Sequence, residues 1–215
     1  MGWWTFQYKL CDTWRMDQIL LILTYIAVIA SSVSGALGAR KYQMDIVGAV
    51  TIAYVNAFGG GTVRDLLLGR TPIFWIADPA LTVTTFIVAI ISFYRLDRIS
   101  KLLLTTADAI GLGIFSILGA TYTLQLNLSP IVAIHMGVVT GIFGGVLRDV
   151  LSNRIPKVFG QSTELYATCS FAGTTLFIIL YVLHVNTLLA SLAGALTIFS
   201  MRLLAVRFKM TLPSP

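Results

Sequence analysis

Charge is scarce in this chain of 215 residues: Lys and Arg number 15, Asp and Glu 9, together 11% of the sequence. A soluble domain carries roughly a quarter charged residues, so this composition does not make a water-facing surface. With 57% hydrophobic residues, lipid is the expected solvent. Cysteine is nearly absent too, and Cys11 and Cys169 show no metal-ligand spacing, which excludes a disulfide framework or thiolate metal centre. His135 and His184 stand alone and read as packed structural residues. There is no Ser-His dyad, no pair of catalytic acids and no metal cluster at workable spacing, so neither enzyme chemistry nor a cofactor or metal is expected. Gly59-Gly60-Gly61-Thr62 lacks the Gly-Lys-Ser/Thr ending of a phosphate-binding loop. The net charge of +6 lies at the edges of apolar runs, not in a basic stripe with interleaved aromatics, so nucleic acid is excluded as a partner.

What the chain has instead is long apolar runs. A spanning helix needs about 20 mainly apolar residues. Seven candidates fit: 18–38, 43–69, 80–94, 104–123, 130–153, 164–182 and 185–203. The third is short and has a possible start near Ile73. The first run is long enough to span, so it reads as a retained helix and not a cleaved signal despite Ala36-Leu37-Gly38-Ala39.

Seven spans put the termini on opposite sides. With Arg64 and Arg148 set aside as intramembrane, the side of the C-terminus holds Arg40, Lys41, Arg95, Arg98, Lys101, Arg154, Lys157, Arg202, Arg207 and Lys209; the other holds Lys9, Arg15 and Arg70. That bias places the C-terminus in the cytoplasm and the N-terminus outside. Trp3, Trp4, Tyr8 and Trp14 fit an interfacial aromatic belt or an unstructured start.

The most informative feature is a self-match at an offset of 84 residues. Gly60-Gly61-Thr62-Val63-Arg64-Asp65-Leu66-Leu67-Leu68-Gly69-Arg70-Thr71-Pro72 aligns with Gly144-Gly145-Val146-Leu147-Arg148-Asp149-Val150-Leu151-Ser152-Asn153-Arg154-Ile155-Pro156, and seven of thirteen positions are identical. At the same offset Gly35-Ala36 meets Gly119-Ala120. The repeat holds three spans, an odd number, so its two copies enter the membrane from opposite sides, as in many transporters. The expected architecture is therefore an all-α membrane protein of seven transmembrane helices, a 3+3 inverted repeat with one extra C-terminal helix. Its parts are an extracytoplasmic segment (1–17), a first repeat (18–97), a second, inverted repeat (102–182), the seventh helix (185–203) and a cytoplasmic tail (204–215).

Each glycine in a helix costs about 1 kcal/mol relative to alanine, so Gly59-Gly60-Gly61 and Gly144-Gly145 predict a kink or unwound turn. Freed carbonyls there would suit a passing cation. Buried Arg and Asp cost about 2.5–3.5 kcal/mol each at the bilayer centre, and so mark a pathway or pair with each other. On a regular helix Arg64 and Asp65 face different sides, and so do Arg148 and Asp149. The repeat then suggests cross-pairs, Arg64 with Asp149 and Arg148 with Asp65, or a shared vestibule. The alternative reading is an interfacial helix end with a snorkelling arginine. Asn56 and Thr140, one turn before the glycines, are pore-liners or interhelical hydrogen-bonders. Asp45 and Asp108, near the cytoplasmic ends of their spans, read as interfacial caps, with ion ligands as the alternative, and Glu164 reads as a helix-start acid.

Ser34-Gly35-Ala36, the stretch from Gly59 to Trp75, Asp108-Ala109-Ile110-Gly111-Leu112-Gly113 and Gly141 to Leu151 together resemble the prokaryotic trimeric intracellular cation (TRIC) channels, a family also labelled glycine transporter or UPF0126. The resemblance covers about residues 17–205. It implies a homotrimer in a bacterial or archaeal plasma (inner) membrane, in contact with membrane lipids, with one pore per protomer for potassium or other monovalent cations. Glycine-kinked second and fifth helices would line that pore through Gly59, Gly60, Gly61 and Arg64, and through Gly144, Gly145 and Arg148. The expected pathway adds Asn56, Asp65, Thr140 and Asp149, with the two arginines limiting conductance. Phe143 stands where the first half has Gly59, so the two kinks are expected to differ. The alternative function is a secondary transporter for a small zwitterion such as glycine.

Overall fold

The structure, a computed structural model, describes residues 18–95, 101–160 and 165–211. Trp3, Trp4, Tyr8, Cys11, Trp14, Arg98 and Glu164 lie outside those residues. The described chain forms α1 (Gln18–Lys41), α2 (Ile46–Leu67), a single turn α3 (Phe74–Ala77), α4 (Pro79–Arg95), α5 (Lys101–Gln125), α6 (Pro130–Leu151), α7 (Ala167–Val182) and α8 (Thr187–Phe208). Five of these, α1, α2, α5, α6 and α8, are long and apolar enough to cross a membrane, while α4 and α7 are apolar but shorter. The candidate span beginning near Ile73 divides in two. Ile73 starts α3, and an extended Asp78 separates it from α4.

Helix ends repeat as faithfully as the motif does. Leu68 and Ser152 cap α2 and α6, and the next residues, Gly69 and Asn153, take left-handed backbone at φ 65° and 52°. The Arg70 N–H then donates to the Asp65 carbonyl (2.7 Å) and the Arg154 N–H to the Asp149 carbonyl (2.8 Å). That is a Schellman ending in both copies, and Gly and Asn are the two residues that best tolerate its left-handed position. Gln43 and Asn127, again 84 apart, end α1 and α5 with φ 57° and 56°. Asp45 and Ser129 then cap the next helices, accepting from the N–H of Gly48 (2.8 Å) and Val132 (3.4 Å). Asp45 is thus a helix-end acid, as expected from the sequence.

The two triplets, α1–α2–α4 and α5–α6–α7, pack internally in the same way. They meet through α2 against α6 and α1 against α5, and α8 rests on α5 and α7. The outer faces are apolar: Ile19, Ile22, Ile26 and Ile29 on α1, and Val83, Phe86, Ile87 and Ile91 on α4, are all exposed. The interior collects small polar side chains instead, among them Ser31, Ser32, Ser34, Thr85, Thr123, Ser170 and Thr174. Such a surface suits lipid, where helices gain from small residues and interhelical hydrogen bonds at their contacts.

Neither glycine cluster breaks its helix. α2 and α6 are helical without interruption through Gly59-Gly60-Gly61 and Gly144-Gly145, so the expected unwound turns and freed carbonyls do not occur. The reason is energetic. Three glycines forfeit about 3 kcal/mol of helix propensity. Each backbone group left unbonded away from water costs several kcal/mol, which outweighs that sum.

Candidate functional site

The glycines act at the crossing of α2 with α6. A Cβ on Gly60 would fall on the Thr140 carbonyl oxygen, and one on Gly144 on the Asn56 carbonyl oxygen. These are one contact made twice, since 60 and 144, and 56 and 140, are repeat equivalents. Gly59 leaves room for Leu147, Gly61 for the Phe74 ring and Gly145 for the Tyr166 hydroxyl. Phe143, the counterpart of Gly59, packs against the hydrophobic core of the second triplet, so the symmetry does differ there.

Asn56 and Thr140 flank the crossing and are both buried. The Asn56 side chain donates to the Ser31 carbonyl (2.7 Å), tying α2 to α1, whereas the Thr140 hydroxyl donates to Met136 of its own helix (2.6 Å). Both line a central void of about 10 Å³ together with Ser31, Asp108, Gly141 and Tyr166. That is room for roughly one water. In this conformation the middle of the bundle is closed.

The Arg-Asp pairs close on themselves. Arg64 Nε donates to Asp65 Oδ1 at 2.8 Å, with Nη2 also at 2.8 Å, and Arg148 Nε donates to Asp149 Oδ1 at 2.9 Å. The predicted cross-pairs are absent, and position explains why. Arg64 stacks on Tyr122 near the end of α5, and Arg148 binds Asp108 near its beginning. Fourteen residues of helix separate those two contacts by about 21 Å. Neighbours pair because each carboxylate is held at its helix end by the loop beyond. Asp65 Oδ2 accepts from the Phe74 N–H (2.9 Å) and Asp149 Oδ2 from the Lys157 N–H (3.2 Å). A long guanidinium can fold back onto a carboxylate fixed there.

The two ends differ chemically. At the first, Arg64 is 2% exposed, and its Cζ lies 4.4 Å from the Tyr122 ring centre and 5.3 Å from that of Phe74. Arg70 stacks on the same Tyr122 ring at 4.0 Å and reaches Asp65 at 3.6 Å. Burial and then the like charge of Arg64 push the Arg70 guanidinium below its usual value, and Asp65 and Tyr122 oppose that shift. Two cations share one carboxylate and one aromatic ring here. At the second end, Arg148 Nη1 binds Asp108 Oδ1 at 2.9 Å and donates to the Ser34 hydroxyl at 3.3 Å, and Lys157 Nζ lies 3.9 Å from Asp108 Oδ2. Arg148 and Lys157 there meet two carboxylates, Asp108 and Asp149, and a third cation, Arg202, stacks on the Tyr166 ring beside them at 4.9 Å.

Asp108 is therefore not a helix-end acid, contrary to the expectation from sequence: it sits a full two turns inside α5, 5% exposed, and holds an arginine of another helix. An acid that deep in an apolar run was the available signal. Ser34 stood in the Ser34-Gly35-Ala36 stretch with no role assigned to it, and Tyr122 and Tyr166 were missed, since no sequence feature distinguishes them from other helix residues.

A closed bundle of helices with apolar faces outward, a small-residue polar interior and buried arginines defines a multi-pass membrane protein. The chain belongs to the family whose model is described as "Glycine transporter", which matches residues 21–96 and again 105–182, one copy on each triplet. Its relatives include the UPF0126 inner membrane protein YadS of Escherichia coli, 34% identical over 196 residues, covering 89% of this chain and 94% of that one. The fold is similar to the TRIC trimeric intracellular cation channel orthologue from Rhodobacter sphaeroides, with TM-score 0.83, 35% identity, and coverage of 90% of this chain and 100% of that one. A second TRIC cation channel structure matches with TM-score 0.80 and 33% identity, over 90% of this chain and 96% of its own. The family is thus that of the UPF0126 membrane proteins and the prokaryotic TRIC channels.

Proposed function

We propose that this protein is a channel for monovalent cations of the potassium type, with one pore in each protomer of a homotrimer. The observation that carries the reading is the polar seam between α2 and α6. It is lined by Asn56 and Thr140, closed over a void of about 10 Å³, and flanked at either end by an Arg-Asp pair, in a bundle similar to solved TRIC cation channels. On this reading Gly59, Gly60, Gly61, Gly144 and Gly145 let the two helices close on each other and slide apart. Arg64 with Asp65, and Arg148 with Asp149, stand at the two mouths, where a fixed guanidinium opposes a passing cation.

All seven long helices cross the plasma (inner) membrane, α4 and α7 included. The N-terminus lies outside and the tail beyond α8 in the cytoplasm. The triplets, 18–97 and 102–182, enter from opposite sides, with 1–17 as the extracytoplasmic segment and 185–203 as the added helix. Arg148 then faces the cytoplasmic mouth and Arg64 the outer one.

A secondary transporter for a small zwitterion such as glycine is the second reading, favoured by the description of the matched family. Liposomes containing the purified protein distinguish the two. A channel collapses a potassium gradient without saturating and takes up no glycine. Saturable glycine uptake without ion leak would replace the channel with a transporter.

A further inference from the structure

Asp108 belongs to none of the paired motifs, yet it is the one carboxylate lining the central void. Its repeat equivalent is Thr24, whose hydroxyl is turned onto the Leu20 carbonyl of its own helix at 2.7 Å. The acid therefore occurs once per chain, toward the Arg148 end. Its two oxygens are used unequally. Oδ1 takes Arg148 Nη1 at 2.9 Å and the Ser34 hydroxyl at 3.4 Å. Oδ2 is buried and accepts no hydrogen bond, its nearest cation being Lys157 Nζ at 3.9 Å. A buried carboxylate oxygen without a donor is costly and calls for an explanation such as an ion. Ser31, Asn56 and Thr140 line the same void. Thr140 spends its proton on Met136 and keeps its lone pairs. One carboxylate among hydroxyl and amide oxygens is the donor set of a hard, weakly held cation.

We propose that Asp108 is the cation-binding group of the pathway, and that the Arg148 guanidinium holds its place as a tethered counter-ion while the bundle is closed. A permeant monovalent cation and Arg148 compete for the same carboxylate. Opening moves Arg148 onto Asp149, which it already touches at 2.9 Å, and frees Asp108 for the ion. Because Arg64 leans on Tyr122 where Arg148 has a second acid, the site lies toward one end and draws cations in from the Arg148 mouth.

The site rests on the channel reading, and one set of recordings tests both. Full-length wild type, Asp108→Asn, Asp108→Glu, Arg148→Gln and the double variant Asp108→Asn/Arg148→Gln are reconstituted in planar bilayers. Unitary conductance and reversal potential are read in a tenfold potassium chloride gradient. Asp108→Asn is expected to lower conductance at least threefold and move the reversal potential toward zero. Asp108→Glu keeps cation preference, and Arg148→Gln raises the open fraction. Because Asp108→Asn strands a buried guanidinium, the double variant is decisive. It removes one charge of each sign and leaves Lys157 with Asp149, so the net charge of the cluster is unchanged and a merely structural ion pair would leave conductance and selectivity like wild type. Double-variant currents with wild-type conductance and selectivity would overturn the site alone. Absence of current from wild type would overturn the channel reading, and the site with it.

Discussion

A buried arginine must be compensated, and the two of the paired motifs are compensated differently. Arg148 has two carboxylates, whereas Arg64 shares Asp65 with Arg70 and leans on aromatic faces. Cation–π contacts contribute about 0.5–2 kcal/mol each, less than a buried charge pair. At the first end two positive charges thus stand against one negative. Removing one member of a buried pair costs about 3–5 kcal/mol, and Arg70 beside the same oxygen holds the cost at Arg64 to the lower limit. Arg64→Ala is expected to lower the thermal midpoint in detergent and to raise single-channel conductance, since a fixed positive barrier is gone. Unchanged conductance and open probability would remove Arg64 from the pathway.

At the level of elements, the α2–α6 crossing decides whether the bundle closes. Alanine at Gly60 brings up to about 1 kcal/mol of helix propensity, while overpacking a core costs about 1–3 kcal/mol. The neighbour at this position is rigid: the Cβ meets a backbone carbonyl of Thr140 and not a flexible side-chain tip. Overpacking therefore wins. Gly60→Ala and Gly144→Ala are each expected to lower the unfolding midpoint, and to hold the channel open in the fraction that folds. Fluorescence-detected gel filtration after heating measures the first effect. A raised midpoint for either variant would mean that the helices do not meet as tightly as these contacts require.

For the whole molecule, the scattered positive charge predicts which way the bundle sits. Single cysteines introduced in a background lacking Cys11 and Cys169 report it. Cysteine in place of Leu128, in the α5–α6 turn, is expected to react with a membrane-impermeant maleimide in intact cells. Cysteine in place of Ile155, beyond α6, is expected to react only after permeabilisation, and both positions are exposed in the bundle. The reverse pattern would invert the protein and assign the Asp108 end to the outside.

The helices, their ends and the doubled plan were legible in the sequence because they are local or repetitive. Apolar run length sets a span, and a cap needs only residues one turn apart, so Asp45 and Ser129 are placed by their own neighbours. A left-handed ending asks for Gly or Asn whatever surrounds it, which is why Gly69 and Asn153 correspond without being identical. Three decisions belonged to the tertiary structure alone. The glycines became a crossing and not a break, because the helix across from them supplies a carbonyl at each glycine while water supplies nothing to an unwound turn. Arg64 and Arg148 took adjacent acids, because the bundle sets the predicted partners at opposite ends of α5. Asp108 became a buried member of the site because Arg148, forty residues on in the chain, is folded against it. Coulomb attraction and close packing depend on distance in space, and the order of residues along the chain leaves that distance open.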